Sequence, residues 1–137
     1  MRLLNFILII FLILTNGIKA DTESQVLKNL KNGGNLIFIR HAYAPGGGDP
    51  DNFDINDCST QRNLNEEGRK QAKNIGNFFK KNLIPIDKVI SSEWCRCKET
   101  AKIAFKKFET KNFLNSFFSK KFSKNRTNQI KDLKKYI

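Results

Sequence analysis

Leu36-Ile37-Phe38-Ile39-Arg40-His41-Ala42 is the stretch on which the reading of this chain turns. Four apolar residues in a row, without alternation, predict a strand over Asn35 to Arg40 that is covered on both faces, as in a parallel sheet. Sheets of that kind place reactive groups at the carboxyl ends of their strands. Here the run delivers Arg40 and then His41, the single histidine among 137 residues. Imidazole is both a nucleophile and a proton carrier near neutral pH. Chemistry that needs two histidines is incomplete in this sequence.

Upstream of the run, Thr22 to Lys31 reads as a short helix with Val26, Leu27 and Leu30 on one side, ended by Gly33-Gly34. Residues 1–20 read as a secretory signal: Met1-Arg2 gives a positive start, Leu3 to Leu14 is apolar apart from Asn5, and a more polar stretch leads to Ala20. The apolar core is 12 residues, short of the roughly 20 that span a bilayer. The expectation is therefore a secreted or periplasmic protein with no stable membrane insertion after signal removal. An uncleaved N-terminal anchor is the alternative.

Downstream, Ala42 to Arg62 reads as a long loop, since Pro45-Gly46-Gly47-Gly48-Asp49-Pro50 excludes regular structure at its start. Asn65 suits a helix N-cap, with Glu66 and Glu67 in the first turn. The helix should run to about Lys81, with Ala72, Ile75 and Phe79 as its buried stripe and Gly68 and Gly76 allowing close approach to a sheet. Lys88 to Ser91 reads as a second strand. Ser91 or Ser92 would cap a third helix with the stripe Cys97, Ala101, Ala104, Phe105 and Phe108. Helix, strand, helix, strand, helix predicts an α/β protein, layered α/β/α with a mostly parallel sheet.

Past Thr110, Phe113 to Phe118 suits a loop on the core or a short helix, and Thr127 to Ile137 looks helical. Two strands make a poor sheet, so residues 21–137 are read as a partial, C-terminally incomplete domain. Its size admits one domain and no second. The formal charge of +12 is uneven: residues 105–137 carry 10 Lys/Arg against 2 Asp/Glu. Phenylalanines between those lysines would also suit nucleic acid or anionic lipid. A solvated helical face in a lysine- and asparagine-rich chain is the reading preferred, and no specific nucleic-acid binding is expected.

Three cysteines in an exported chain suggest one disulfide and a spare thiol. Cys95 and Cys97 are too close for a relaxed bridge, so Cys58 should pair with one of them. The same three are compatible with zinc ligands, but no good fourth ligand is nearby.

Arg40 follows the first strand, Arg62 precedes the second helix, and Arg96 opens the third. Strand ends and following helix starts share one edge of a parallel sheet, so Arg40 and Arg96 should meet there with Arg62 leaning in. Guanidinium forks match phosphate oxygens in pairs. A helix N-terminus adds N–H donors. His41 would face the phosphorus atom.

Arg40-His41-Ala42 resembles the R-H-G/A signature of the histidine phosphatase (phosphoglycerate mutase-like) superfamily. Arg62 to Ala72 is similar to its L-[ST]-x-x-G-x-x-Q-A segment, with Asn65 in the Ser/Thr slot. Ser91 to Ala101 is similar to S-S-x-x-x-R-x-x-x-T-A. Three ordered motifs over residues 33–105 make the resemblance specific, and residues 113–137 echo the exported branch.

The resemblance implies a phosphomonoester hydrolase acting on a small phosphorylated substrate. His41 would be the catalytic nucleophile that becomes phosphohistidine. Arg40 and Arg96 would be catalytic phosphate holders, and Arg62 a further phosphate contact. No metal and no cofactor are implied, because arginines supply the charge. A carboxyl must protonate the leaving oxygen, and Glu93, Asp49, Asp54 and Asp57 are the candidates. The family's second histidine, on a later strand, has no counterpart here. The chain is therefore read as an enzyme truncated before it and catalytically impaired, the alternative being a non-catalytic phosphate-binding or interaction remnant. Gly46-Gly47-Gly48 reads as an entrance loop, Trp94 as packing, and Glu99 and Thr100 as helix surface. Nothing in the sequence fixes the oligomeric state.

Overall fold

The computed structural model describes residues 25–137. The signal reading of residues 1–20 and the start of the first helix lie outside them. Residues 25–31 are helical (α1), and Gly33 and Gly34, at φ 73° and 68°, turn the chain out of it. Helix α2 spans Glu66–Lys81. The Asn65 side chain accepts a hydrogen bond from the Gly68 N–H at 2.9 Å. Acidic residues fill the first turn and Lys80 and Lys81 the last, each complementing the helix dipole.

Strand β1 (Ile90–Ser91) leads through α3 (Cys95–Phe105) to β2 (Glu109–Thr110). The two strands pair in parallel, Ile90 with Glu109 and Ser91 with Thr110, with α3 as the crossover that parallel pairing requires. Short 3-10 turns follow at Asn112–Leu114 and Ser123–Asn125, and α4 occupies Arg126–Tyr136. The α/β class stands, with a smaller sheet than expected.

The first expected strand is corrected. Residues 35–40 have no regular secondary structure and join no ladder among the described residues, and Leu36, Ile37, Phe38 and Ile39 are all exposed, Phe38 at 68%. A run of apolar residues records a tendency to be covered, while strand formation needs a neighbouring edge. Among the described residues the only neighbour β1 has is β2. The second strand begins at Ile90 rather than Lys88 for the same reason.

Helix α3 also departs from its expected stripe. Its buried residues are Cys95, Arg96, Thr100 and Ala101, and its N-cap is Trp94 rather than Ser91 or Ser92. Ser92 still assists, its Oγ accepting from the Trp94 N–H at 3.2 Å. The side of α3 that turns inward is thus partly polar, because it meets backbone and charge instead of a sheet. The apolar side meets α2: Phe79 and Phe105 pack edge to face at 5.2 Å. At Gly76 any Cβ would overlap the Ala104 carbonyl. That glycine lets two helices approach, where the sequence suggested a helix on a sheet.

The core cluster is Ala42, Ala44, Leu64 and Ala72, with Ile103 packed against it. Small residues there bring the chain after His41 down onto α2. Cys58 and Cys95 form the disulfide, leaving Cys97 free. The bridge ties the loop before Arg62 to the first turn of α3. In the basic tail, Phe122 packs edge to face on Phe53 and Trp94, and Phe113 lies against Tyr136. Those phenylalanines serve packing.

Candidate active site

The segment carrying His41 is held by residues of α2 and α3. The Ala42 N–H donates to Thr100 Oγ1 at 3.0 Å, and that hydroxyl donates to the Arg96 carbonyl at 2.7 Å. The Tyr43 N–H donates to Gln71 Oε1 at 2.7 Å. At Gly68 a Cβ would overlap the Tyr43 carbonyl, so only glycine lets α2 pass this close. Thr100 is buried, which corrects its reading as helix surface. Glu99 does lie toward the surface, 3.4 Å from Arg69.

His41 is half-buried, and its Nδ1 lies 2.7 Å from the Ala42 carbonyl oxygen. A carbonyl oxygen only accepts, so Nδ1 carries the proton and the neutral ring keeps its lone pair on Nε2. Burial is the main influence lowering the His41 pKa; the Ala42 bond opposes it, and the charges of Arg96, Arg62 and Arg40 lower it further. The imidazole is thus held as a free base among cations.

Arg96 is buried, its side chain 8% exposed, and forms a two-pronged ion pair with Asp49: Nη1 to Oδ1 at 2.6 Å and Nη2 to Oδ2 at 3.1 Å. Asp49 also accepts from the Arg62 N–H at 3.0 Å and from Trp94 Nε1 at 3.1 Å. Burial pushes the Asp49 carboxyl up, but these donors outweigh it and hold it below its ordinary range. Arg62 spends Nη1 on the Ala44 and Gly46 carbonyls, at 2.7 and 2.9 Å. The Nε groups of both Arg62 and Arg96 are buried without a partner among the described residues. Buried donors are rarely left so.

The structure therefore brings His41, Arg62 and Arg96 together. Arg40 is exposed, makes no side-chain hydrogen bond to a described residue, and has the weakest of the three arginine effects on His41. Its looser placement follows from the unpaired strand before it. Among the carboxyl candidates, Asp57 caps the Cys58–Thr60 turn and is held low by the Ser59 hydroxyl and N–H. Glu93 accepts from Asn115 Nδ2 at 2.6 Å, and Asp54 is exposed. Burial is the main influence raising the pKa of the free Cys97 thiol.

Two contributors escaped the sequence. Gln61 is buried, accepts from the Cys95 N–H at 2.9 Å and donates to the Asp54 and Ile55 carbonyls, bracing the loop beside the disulfide. No local pattern announces that role. Asp49 as the partner of Arg96 had one signal, a lone carboxylate inside a glycine–proline turn.

Residues 36–116 match the model of the histidine phosphatase superfamily (branch 1). That match covers more than half of the chain, and the chain belongs to this superfamily. It is 33% identical over 88 residues to the mitochondrial serine/threonine-protein phosphatase Pgam5 of Drosophila virilis, covering 64% of this chain and 27% of that protein. With the Pgam5 of Drosophila ananassae it shares 30% identity over 105 residues, covering 75% of this chain and 32% of that protein. The chain thus spans about a third or less of the length of these curated relatives. No solved structure matches.

The expected secreted or periplasmic localisation is corrected by these relatives, both of which are mitochondrial. The anchored alternative falls on residues 1–20, outside the described ones. Among the described residues no helix is long and apolar enough to cross a membrane.

Proposed function

We propose that the protein is a phosphomonoester hydrolase working through a phosphohistidine on His41. One observation carries the reading: the Ala42 carbonyl fixes the Nδ1 proton, leaving Nε2 free near buried Arg96 and half-buried Arg62, whose Nε donors have no partner among the described residues. Nε2 attacks phosphorus, a P–N bond forms, and the P–O bond to the leaving group breaks. Arg96 and Arg62 hold the phosphoryl oxygens and offset the charge that develops in transfer; Arg40 joins them from the exposed side. The leaving oxygen takes a proton from a carboxylic acid. Asp49 and Asp57 are held as anions, which leaves Glu93 and Asp54 of the four candidates. Water then attacks phosphorus, breaks the P–N bond and returns the imidazole. The arginines supply the positive charge, so the reading calls for no metal or cofactor.

Substrates are small phosphate monoesters or, by the names of the relatives, phosphoserine and phosphothreonine esters. His41 is the only histidine in the sequence, so turnover in this chain is slow. The same fact favours a second reading, an anion-binding module that holds phosphate without cleaving it. Hydrolysis of p-nitrophenyl phosphate by the full chain, lost in His41→Ala, supports the enzyme. Equal rates in the two remove His41 from the mechanism. Calorimetric binding of inorganic phosphate without any turnover supports the module.

A further inference from the structure

We propose that Asp49 is a positioning residue: it holds the outer edge of the Arg96 guanidinium so that the opposite edge is presented to the phosphoryl group. This rests on the phosphate-site reading above. A guanidinium has two edges that can take an oxyanion in pairs, one formed by both Nη groups and one by Nε with Nη2. Asp49 fills the first edge of Arg96. The second retains its Nε, buried and unpartnered.

Arg62 is arranged in a parallel way. Backbone carbonyls of Ala44 and Gly46 occupy its Nη1, and its Nε is again buried and free. Both arginines are therefore oriented by acceptors of this chain and keep the same edge open. Asp49 links the two, since it also accepts from the Arg62 backbone N–H. Trp94 Nε1 fixes the second carboxylate oxygen from the side. With donors on both oxygens, the carboxylate is an anion with no proton to give. Its negative charge also acts on the Arg62 guanidinium, which Arg96 otherwise repels.

The alternative role for a carboxylate gripping a phosphate-site arginine is competition, in which substrate must displace it. The two differ in sign. A positioning Asp49 strengthens phosphate binding; a competing one weakens it.

The test uses the full chain with inorganic phosphate as probe. In the unsubstituted protein, the Arg96 Nη protons should exchange slowly in ¹H–¹⁵N spectra, while its Nε signal shifts as phosphate is added. Asp49→Asn should weaken phosphate binding by about tenfold or more, as small misplacements of oriented groups do, and Asp49→Glu should recover part of it. Rapidly exchanging Nη protons with a phosphate-responsive Nε overturn the role of Asp49 and leave the phosphate site standing. Rigid Nη protons with an Nε blind to phosphate overturn the phosphate site and the role built on it. Tighter binding in Asp49→Asn makes the carboxylate a competitor and also overturns the proposal. The spectra of the unsubstituted chain decide the question even where Asp49→Asn does not fold.

Discussion

His41 is poised by one short contact and several charges, and its pH behaviour follows from them. Its pKa is lowered by burial and by Arg96, Arg62 and Arg40, so the nucleophilic free base persists below the ordinary histidine range. The acid limb of the hydrolysis profile should therefore fall below pH ~6.5. The linkage has the matching sign. An unfolded histidine takes up a proton that the folded site refuses, so this group lowers folding stability as pH drops below about 6.5. Imidazole ¹⁵N titration checks both, and a midpoint at or above the free value contradicts them. Thr100 is the second decisive residue. Thr100→Val removes the acceptor of the buried Ala42 N–H and should cost about 1–3 kcal/mol in urea denaturation, with Thr100→Ser close to wild type. His41, Arg62 and Arg96 could be singled out as candidates because their residue types suit phosphate chemistry. Thr100 was not, since apolarity located the α3 stripe while the inward side is hydrogen-bonded rather than greasy.

At the scale of elements, capping chemistry made α2 readable to its ends, from Asn65 to Lys81. The strand before His41 was misread because pairing is a non-local property and an apolar run has no way to state its partner. Its exposed, ladder-free backbone leads to a specific expectation. Amides of residues 36–40 should exchange with solvent quickly, while the helical amides of α2 and α3, which pack on each other closely at Gly76, stay protected. Hydrogen exchange followed by mass spectrometry tells the two apart; protection of residues 36–40 equal to that of α2 would mean the segment is paired.

For the molecule as a whole, local elements are few and the site depends on ties between distant parts of the chain. The Cys58–Cys95 bridge spans 37 residues and joins the loop ahead of Arg62 to the helix carrying Arg96. Opening it with a dithiol should lower stability by ~2–4 kcal/mol, visible as an earlier thermal melt; an unchanged melt would deny the bridge that part. Sequence limited the pairing to Cys58 with one of two partners, and only the course of the chain through Gln61 chooses Cys95. The basic tail was legible as charge and not as packing, because Phe122 reaches Trp94 and Phe53 across more than twenty residues. The central claim is tested most directly by quenching the full chain with alkali during reaction with p-nitrophenyl phosphate and mapping its phosphopeptides. The account predicts a phosphoryl group on His41, attached through Nε2. Phosphate attached through Nδ1, or found on any other residue, would contradict it.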